Sequence, residues 1–208
     1  MRFSDAALKS LIQQGEGVAL EFKRKINHPK KIAKSLVAFA NSLGGFLVIG
    51  VDDNGFIYGI EDEKYPAELL HLISETDCTP PVNYSLFSIK IDNKYVLVIE
   101  IPESLTKPHF IKTENQPYIR VGDKSIVAGP VQIALMKEKS SKSGKINFGE
   151  AERLLFDYLT AYGTITLEKF KVLSGLNVNE SSERLTRLIQ IGMVKSVFIE
   201  TTEYFTLA

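Results

Sequence analysis

The stretch from Ala38 to Gly55 reads AFANSLGGFLVIGVDDNG and joins a helix end, a Gly-Gly break, an apolar strand and an acidic turn without interruption. Phe46 to Val51 has the length and composition of a strand buried on both faces, so helices must cover it from either side. Gly44-Gly45 predicts the stop of the preceding helix. Asp52-Asp53-Asn54-Gly55 predicts a tight turn that returns the chain into Phe56-Ile57-Tyr58 as a hairpin. That turn delivers two carboxylates at a strand end, where loops meet solvent.

Around this centre the periodicities alternate between strand and helix. Ser4 predicts the cap of a short amphipathic helix to about Gln14, with Ala6, Leu8, Leu11 and Ile12 as its apolar face. A strand is expected from Val18 to Phe22. Ile32, Leu36, Val37, Phe39 and Ala40 recur at helical spacing after Pro29, which suits a first turn. Glu63 to Glu75 predicts a second helix over the sheet. Pro80-Pro81 forces an extended crossing into an antiparallel pair, Tyr84 to Ile91 and Tyr95 to Ile101, joined by an Asp92-Asn93 turn. Tyr118 to Gly122 predicts a last strand and Pro130 to Lys137 a closing helix. The expected fold is α+β, a mixed, mainly antiparallel sheet with packed helices.

A polar run, KEKSSKSGK from Lys137 to Lys145, divides the chain. It predicts a domain over 1–137, a linker over 138–147 and a second domain over 148–208. The second domain is expected to run through three helices, Phe148 to Ala161, Thr166 to Ser174 and Asn179 to Ile191, and then a hairpin, Met193 to Glu200 with Glu203 to Leu207. That order is winged-helix-like. Its recognition helix would turn Glu180, Ser181, Glu183, Arg184, Arg187 and Gln190 outward, with Arg184 and Arg187 available to a phosphate or a guanine edge. The balance opposes DNA. Arg153, Lys169, Lys171, Arg184, Arg187 and Lys195 are outnumbered by Glu150, Glu152, Asp157, Glu168, Glu180, Glu183, Glu200 and Glu203. An acidic module of this order fits protein contact or dimerisation as well as DNA.

The whole chain carries 25 basic and 25 acidic residues, so any attraction to nucleic acid must be local. One patch qualifies. Lys23, Arg24, Lys25, His28, Lys30, Lys31 and Lys34 run from a strand end through a loop into a helix and can meet phosphates; Arg120 and Lys124 extend them. The plain alternative is a solvated helix face. Tyr118 and Phe110 are stacking candidates, with burial in the core as the competing role. The lone Cys78 has no internal disulfide partner, no histidine–cysteine cluster offers a structural zinc site, and a small buried thiol is the expectation. Neither a signal-peptide core nor a membrane-length apolar run is present, which predicts a cytoplasmic protein with no membrane partner.

EGVALEFK at 16–23, the AFANSLGGFLVIGVDDNG stretch, Gly59-Ile60, Lys107-Pro108-His109 and Tyr118-Ile119-Arg120-Val121-Gly122 occur in an order that resembles the Schlafen-type AlbA-like domain, over roughly residues 5 to 137. The resemblance implies a DNA-binding or transcriptional-regulator module, a type often followed by a winged helix. The same family has also been described as a divergent ATP-binding group. In some Schlafen proteins a related fold carries a metal-dependent ribonuclease built on a Glu-x4-Glu pair and a later aspartate. Carried over, the pair is Glu16 and Glu21, the lysine after Phe22 is Lys23, and the later acid is Asp52 or Asp53. Gly17 departs from the pattern, where a serine or other polar residue is usual.

Three readings follow. The first is a nucleic-acid-binding regulator, DNA or RNA, holding phosphates through Lys23 to Lys34 and needing no cofactor. The second is a nuclease in which Glu16, Glu21 and Asp52 or Asp53 hold Mg²⁺ or Mn²⁺ and Lys23 offsets transition-state charge. Against it stands a structural role, with Glu21 paired to Lys23 or Arg120 and the aspartates serving the turn. The third is an assembly module without nucleic acid; self-association as a dimer fits any of the three. ATP is not expected, because Gly44-Gly45 runs from helix into strand, the reverse of a phosphate-binding loop.

Overall fold

The computed structural model describes residues 4–91, 93–137 and 148–208; the expected linker at 138–147 and Asp92 of the Asp92-Asn93 turn lie outside these. Contacts divide the chain into two units, Met1–Val127 and Ala128–Ala208.

In the first unit, helix α1 (Asp5–Gln13) is capped by the Ser4 hydroxyl, which accepts the N–H of Ala7 at 3.2 Å. Strand β1 (Leu20–Lys23) leads through helix α2 (Pro29–Asn41) to strand β2 (Gly44–Ile49). β1 and β2 pair in parallel, with Glu21 opposite Leu47, so β1-α2-β2 is a crossover unit. Helix α3 (Lys64–Asp77) and a short strand β3 (Cys78–Thr79) precede the antiparallel pair β4 (Ser85–Ile91) and β5 (Lys94–Pro102). The sheet order is β1-β2-β5-β4, with one parallel and two antiparallel pairings. The α+β expectation holds.

Alternation along the strands sends successive side chains to opposite faces. Leu47, Ile49, Leu97, Ile99 and Ile101 pack under α2 and α3. Leu20, Phe22, Val48, Val51, Val96 and Val98 form the other face with Leu8 and Leu11 of α1. Gly44 and Gly45 end the helix and also open β2. A Cβ on Gly44 would lie 2.6 Å from the Ile101 carbonyl oxygen, and one on Gly45 would lie 2.5 Å from the Phe39 ring. The pair lets a strand begin directly against its neighbours.

Two expectations change. Phe56-Ile57-Tyr58 does not form a strand: only Val51 and Ile57 bridge. The reason is topological, since β1 and β5 already occupy both edges of β2. The single last strand becomes a hairpin, β7 (Tyr118–Val121) with β8 (Lys124–Val127), and strand β6 (Phe110–Ile111) pairs with β3.

In the second unit, helix α4 (Pro130–Lys137) precedes α5 (Glu150–Tyr162), α6 (Leu167–Ser174), α7 (Val178–Gln190) and the hairpin β9 (Val194–Ile199) with β10 (Thr202–Leu207). The winged-helix order is present. Helix α4, expected to close the first domain, packs instead on α7, with Val131 in the same cluster as Leu155, Phe170, Leu185 and Phe205. Ser181 does not face outward: it is fully buried in that unit.

Candidate nucleic-acid interface

Because β1 and β2 are parallel, with Lys23 beside Ile49, the segments that follow both strands leave the sheet at one end. Helix α2 begins there. Its N-cap residue, His28, makes no capping side-chain bond, and Pro29 opens the helix. Backbone N–H groups at a helix start carry partial positive charge, which favours an anion. A pocket of about 430 Å³ opens at this end, lined by Lys23, Arg24, Lys25, Asn27, His28, Lys31, Ile32 and Asp53. Four permanent cations thus face one carboxylate.

The acidic turn shapes one wall. Asp52 Oδ1 accepts the N–H groups of Asn54 at 3.0 Å and Phe56 at 2.9 Å, so Asp52 serves the turn. Asp53 is exposed and lines the pocket, while Phe56 is 62% exposed. The Arg24 guanidinium lies 3.8 Å from the centre of the Tyr58 ring, and Phe56 meets Tyr58 edge-on at 4.7 Å. Sequence reasoning missed this group because it took the segment for a strand. The usable signal was two aromatic residues at i and i+2 directly after an exposed turn.

Beneath the pocket the charges are engaged in structure. Glu21, 8% exposed, accepts the Ser35 hydroxyl of α2 at 2.8 Å, and its carboxylate lies 2.7 Å from Lys23 Nζ and 2.8 Å from Arg120. Arg120 also donates to the Gly17 carbonyl at 2.6 Å and to Ser125 at 3.1 Å, with its guanidinium over the Phe39 ring. Its burial removes it from a phosphate-facing surface. Glu16 accepts the N–H of Phe22 at 2.7 Å. Burial pushes the Glu16 carboxyl above its ordinary value; the Phe22 N–H and Lys23 pull it down, while Asp53 and Glu21 push it further up.

The metal expectation can be tested on these donors. Both Glu21 oxygens already hold cations, and among the described residues no three His, Cys, Asp or Glu side chains are grouped to hold a metal ion. As arranged, Glu21 offers neither oxygen to Mg²⁺ or Mn²⁺, and the set does not fit such an ion unless Lys23 or Arg120 gives up its pairing.

The remaining candidates are scattered. Lys30 is exposed and 3.8 Å from Glu114, and Lys34 is half-buried over the Tyr118 ring. Lys124 is exposed on β8. Tyr118 is buried, its hydroxyl donating to Glu114 at 3.0 Å, and Phe110 is half-buried. In the second unit, Arg184 pairs with the buried Glu152, and Arg187 lies 3.1 Å from Glu183. Cys78 is buried, its thiol pushed up to about 12 by burial and by Asp77.

The motifs that ordered the sequence bond to one another. Asn41 donates to the carbonyls of His109 at 2.8 Å and Tyr118 at 3.0 Å and accepts the His109 N–H at 2.7 Å. Lys107 donates to the Ser42 carbonyl at 2.7 Å, and the Arg120 N–H reaches the Ser42 hydroxyl at 2.8 Å. Together they fix the C-terminal end of α2, whose other end opens the pocket.

Among solved structures, the N-terminal domain of a RecG-related protein from Nitrosomonas europaea aligns with TM-score 0.46 and 20% identity, over 68% of this chain and 98% of that one. The DIP2311 protein from Corynebacterium diphtheriae aligns with TM-score 0.49 and 18% identity over 97% of this chain, which spans 38% of that protein's length. A comparison with curated proteins finds no match. No helix among the described residues is long and apolar enough to cross a membrane. The family model for Schlafen, AlbA_2 matches residues 16–128, more than half of the sequence, and the chain belongs to that family.

Proposed function

We propose that the first domain binds nucleic acid through its phosphates at the mouth formed by the ends of β1 and β2 and the start of α2. One observation carries this reading: Arg24, Lys25 and Lys31, none of them ion-paired among the described residues, line a single pocket with Lys23 at the start of α2. Phosphate contacts from lysine, arginine and helix starts supply most of the affinity of sequence-independent binding. In its finer form the protein is a cytoplasmic DNA-binding transcriptional regulator. Its winged-helix-like unit would then make protein contacts, including self-association. The support for that division is the pairing of Arg184 and Arg187 with Glu152 and Glu183 and the excess of acids over bases.

Fluorescence anisotropy with labelled RNA, single-stranded DNA and duplex DNA tests the reading. Engagement of Arg24, Lys25 and Lys31 predicts that log affinity falls against log salt with a slope of about −2 to −3. A Lys25→Glu, Lys31→Glu double variant alters two exposed side chains; it should bind more than about tenfold more weakly, with a shallower slope. Binding unchanged in that variant, or absent at low salt, would refute the proposal. Parallel incubations with Mn²⁺ or EDTA should leave the strands intact; cleavage that needs both Mn²⁺ and Glu21 would replace the binding reading with a hydrolase.

A further inference from the structure

We infer that the ligand of this mouth is single-stranded nucleic acid, one base stacking on Phe56 with the Arg24 guanidinium at its edge, while the adjoining phosphates lie among Arg24, Lys25 and Lys31. The inference rests on the phosphate-binding reading and names its substrate class. Arg24 belongs to both features, lining the cationic pocket and sitting 3.8 Å from the centre of the Tyr58 ring. It makes no ion pair among the described residues, so it is held by the ring rather than by a carboxylate.

Phe56 stands beside this pair, in edge-on contact with Tyr58, and is 62% exposed. Its position is held from behind by the Asp52 carboxylate, which accepts the Phe56 N–H. A mobile side chain would lose freedom on binding; this ring and this guanidinium are already braced. The exposed ring suits a base, and the guanidinium suits the phosphate beside it. Every base has a π-face that stacks on an aromatic ring or a guanidinium plane, and a positively charged groove beside such a platform tracks the backbone. In a duplex the base faces are closed off by stacking, so Phe56 would gain nothing there. The volume of about 430 Å³ also suits a local segment of strand better than the wide face of a helix.

The test uses the full chain and a labelled strand of about ten nucleotides, the same backbone with abasic sugars, and a blunt duplex. The normal strand should bind tightest. Phe56→Ala should weaken it by roughly five- to a hundredfold, to the level of the abasic strand, and leave duplex and abasic binding unchanged. The protein contains no tryptophan, so Phe56→Trp places a lone indole at the platform. Its emission should be quenched by the normal strand and not by the abasic one. Equal affinity of wild type and Phe56→Ala, or of normal and abasic strands, overturns the platform while the lysine-dependent phosphate site stands. If the Lys25→Glu, Lys31→Glu variant also binds every strand like wild type, the phosphate reading itself has failed.

Discussion

Arg120 lies in the core, 6% exposed, and is held by Glu21, Ser125 and the Gly17 carbonyl. Arg24, three residues along the chain from Glu21, is exposed and rests on Tyr58 without an ion pair among the described residues. The two arginines share one neighbourhood and do opposite things. A guanidinium taken out of water must be met by hydrogen-bond acceptors and a counter-charge. One left at a rim keeps its donors for a ligand. Burial, more than residue type, separates the two arginines.

The largest expected effect breaks this contrast at its buried end. Arg120→Ala leaves the Glu21 carboxylate buried beside Lys23 and Ser35 alone, and should cost about 3–5 kcal/mol in urea unfolding followed by circular dichroism. Arg24→Ala, removing an exposed side chain, should leave the midpoint nearly unchanged and reduce nucleic-acid affinity instead. Equal destabilisation by the two substitutions would erase the distinction between scaffold and site.

The same contrast explains what could be read from the sequence. Helix α2, strand β2 and the β4–β5 hairpin carry strong local periodicity, and their placement follows. The family motifs were legible because Asn41, Lys107, His109 and Arg120 are tied to one another across long chain separations, which restricts each residue type. These are the scaffold. The site draws Arg24, Lys25 and Lys31 from between the motifs and Lys23 and Asp53 from their ends. Lys25 and Lys31 read equally well as a solvated face until the parallel pairing of β1 and β2 brings them to one mouth. Phe56 and Tyr58 read as a strand until β1 and β5 are seen to fill both edges of β2. Arg120 read both as an extension of the basic patch and as a structural partner of Glu21, since a sequence does not reveal which charge is buried. Helix α4 reads as closing the first domain because its partner, α7, lies far along the chain.

Glu16 probes the boundary between the two regions, because it responds both to Glu21 in the core and to Asp53 in the pocket wall. Its raised folded-state value means that the folded protein holds this proton more tightly than the unfolded chain. That contribution is present below the ordinary value of 4.5 and is lost as pH rises through the raised value. Glu16→Gln retains an oxygen for the Phe22 N–H and removes the buried charge. It should therefore raise Tm at pH 7 by about one or two degrees, with the gain vanishing near pH 4, where the native glutamate is protonated. A gain equal at both pH values would mean that Glu16 packing, not its charge, limits stability.

Asp53 gives the smallest effect and the finest discrimination. Among the described residues it is the only carboxylate lining the pocket with Lys23, Arg24, Lys25 and Lys31, and it is exposed, so its repulsion of a bound phosphate acts through a water-like medium. At a separation of about 7 Å that repulsion amounts to about 0.6 kcal/mol. Asp53→Asn should then tighten binding about threefold at low salt, and the gain should fade as salt screens the pair. A substitution that weakens binding instead would give Asp53 a positive role, as an acceptor for a sugar hydroxyl or a base amino group. Repeating the measurement with RNA and DNA strands of one sequence separates those two partners: loss confined to RNA points to the 2′-hydroxyl, and loss on both points to the base.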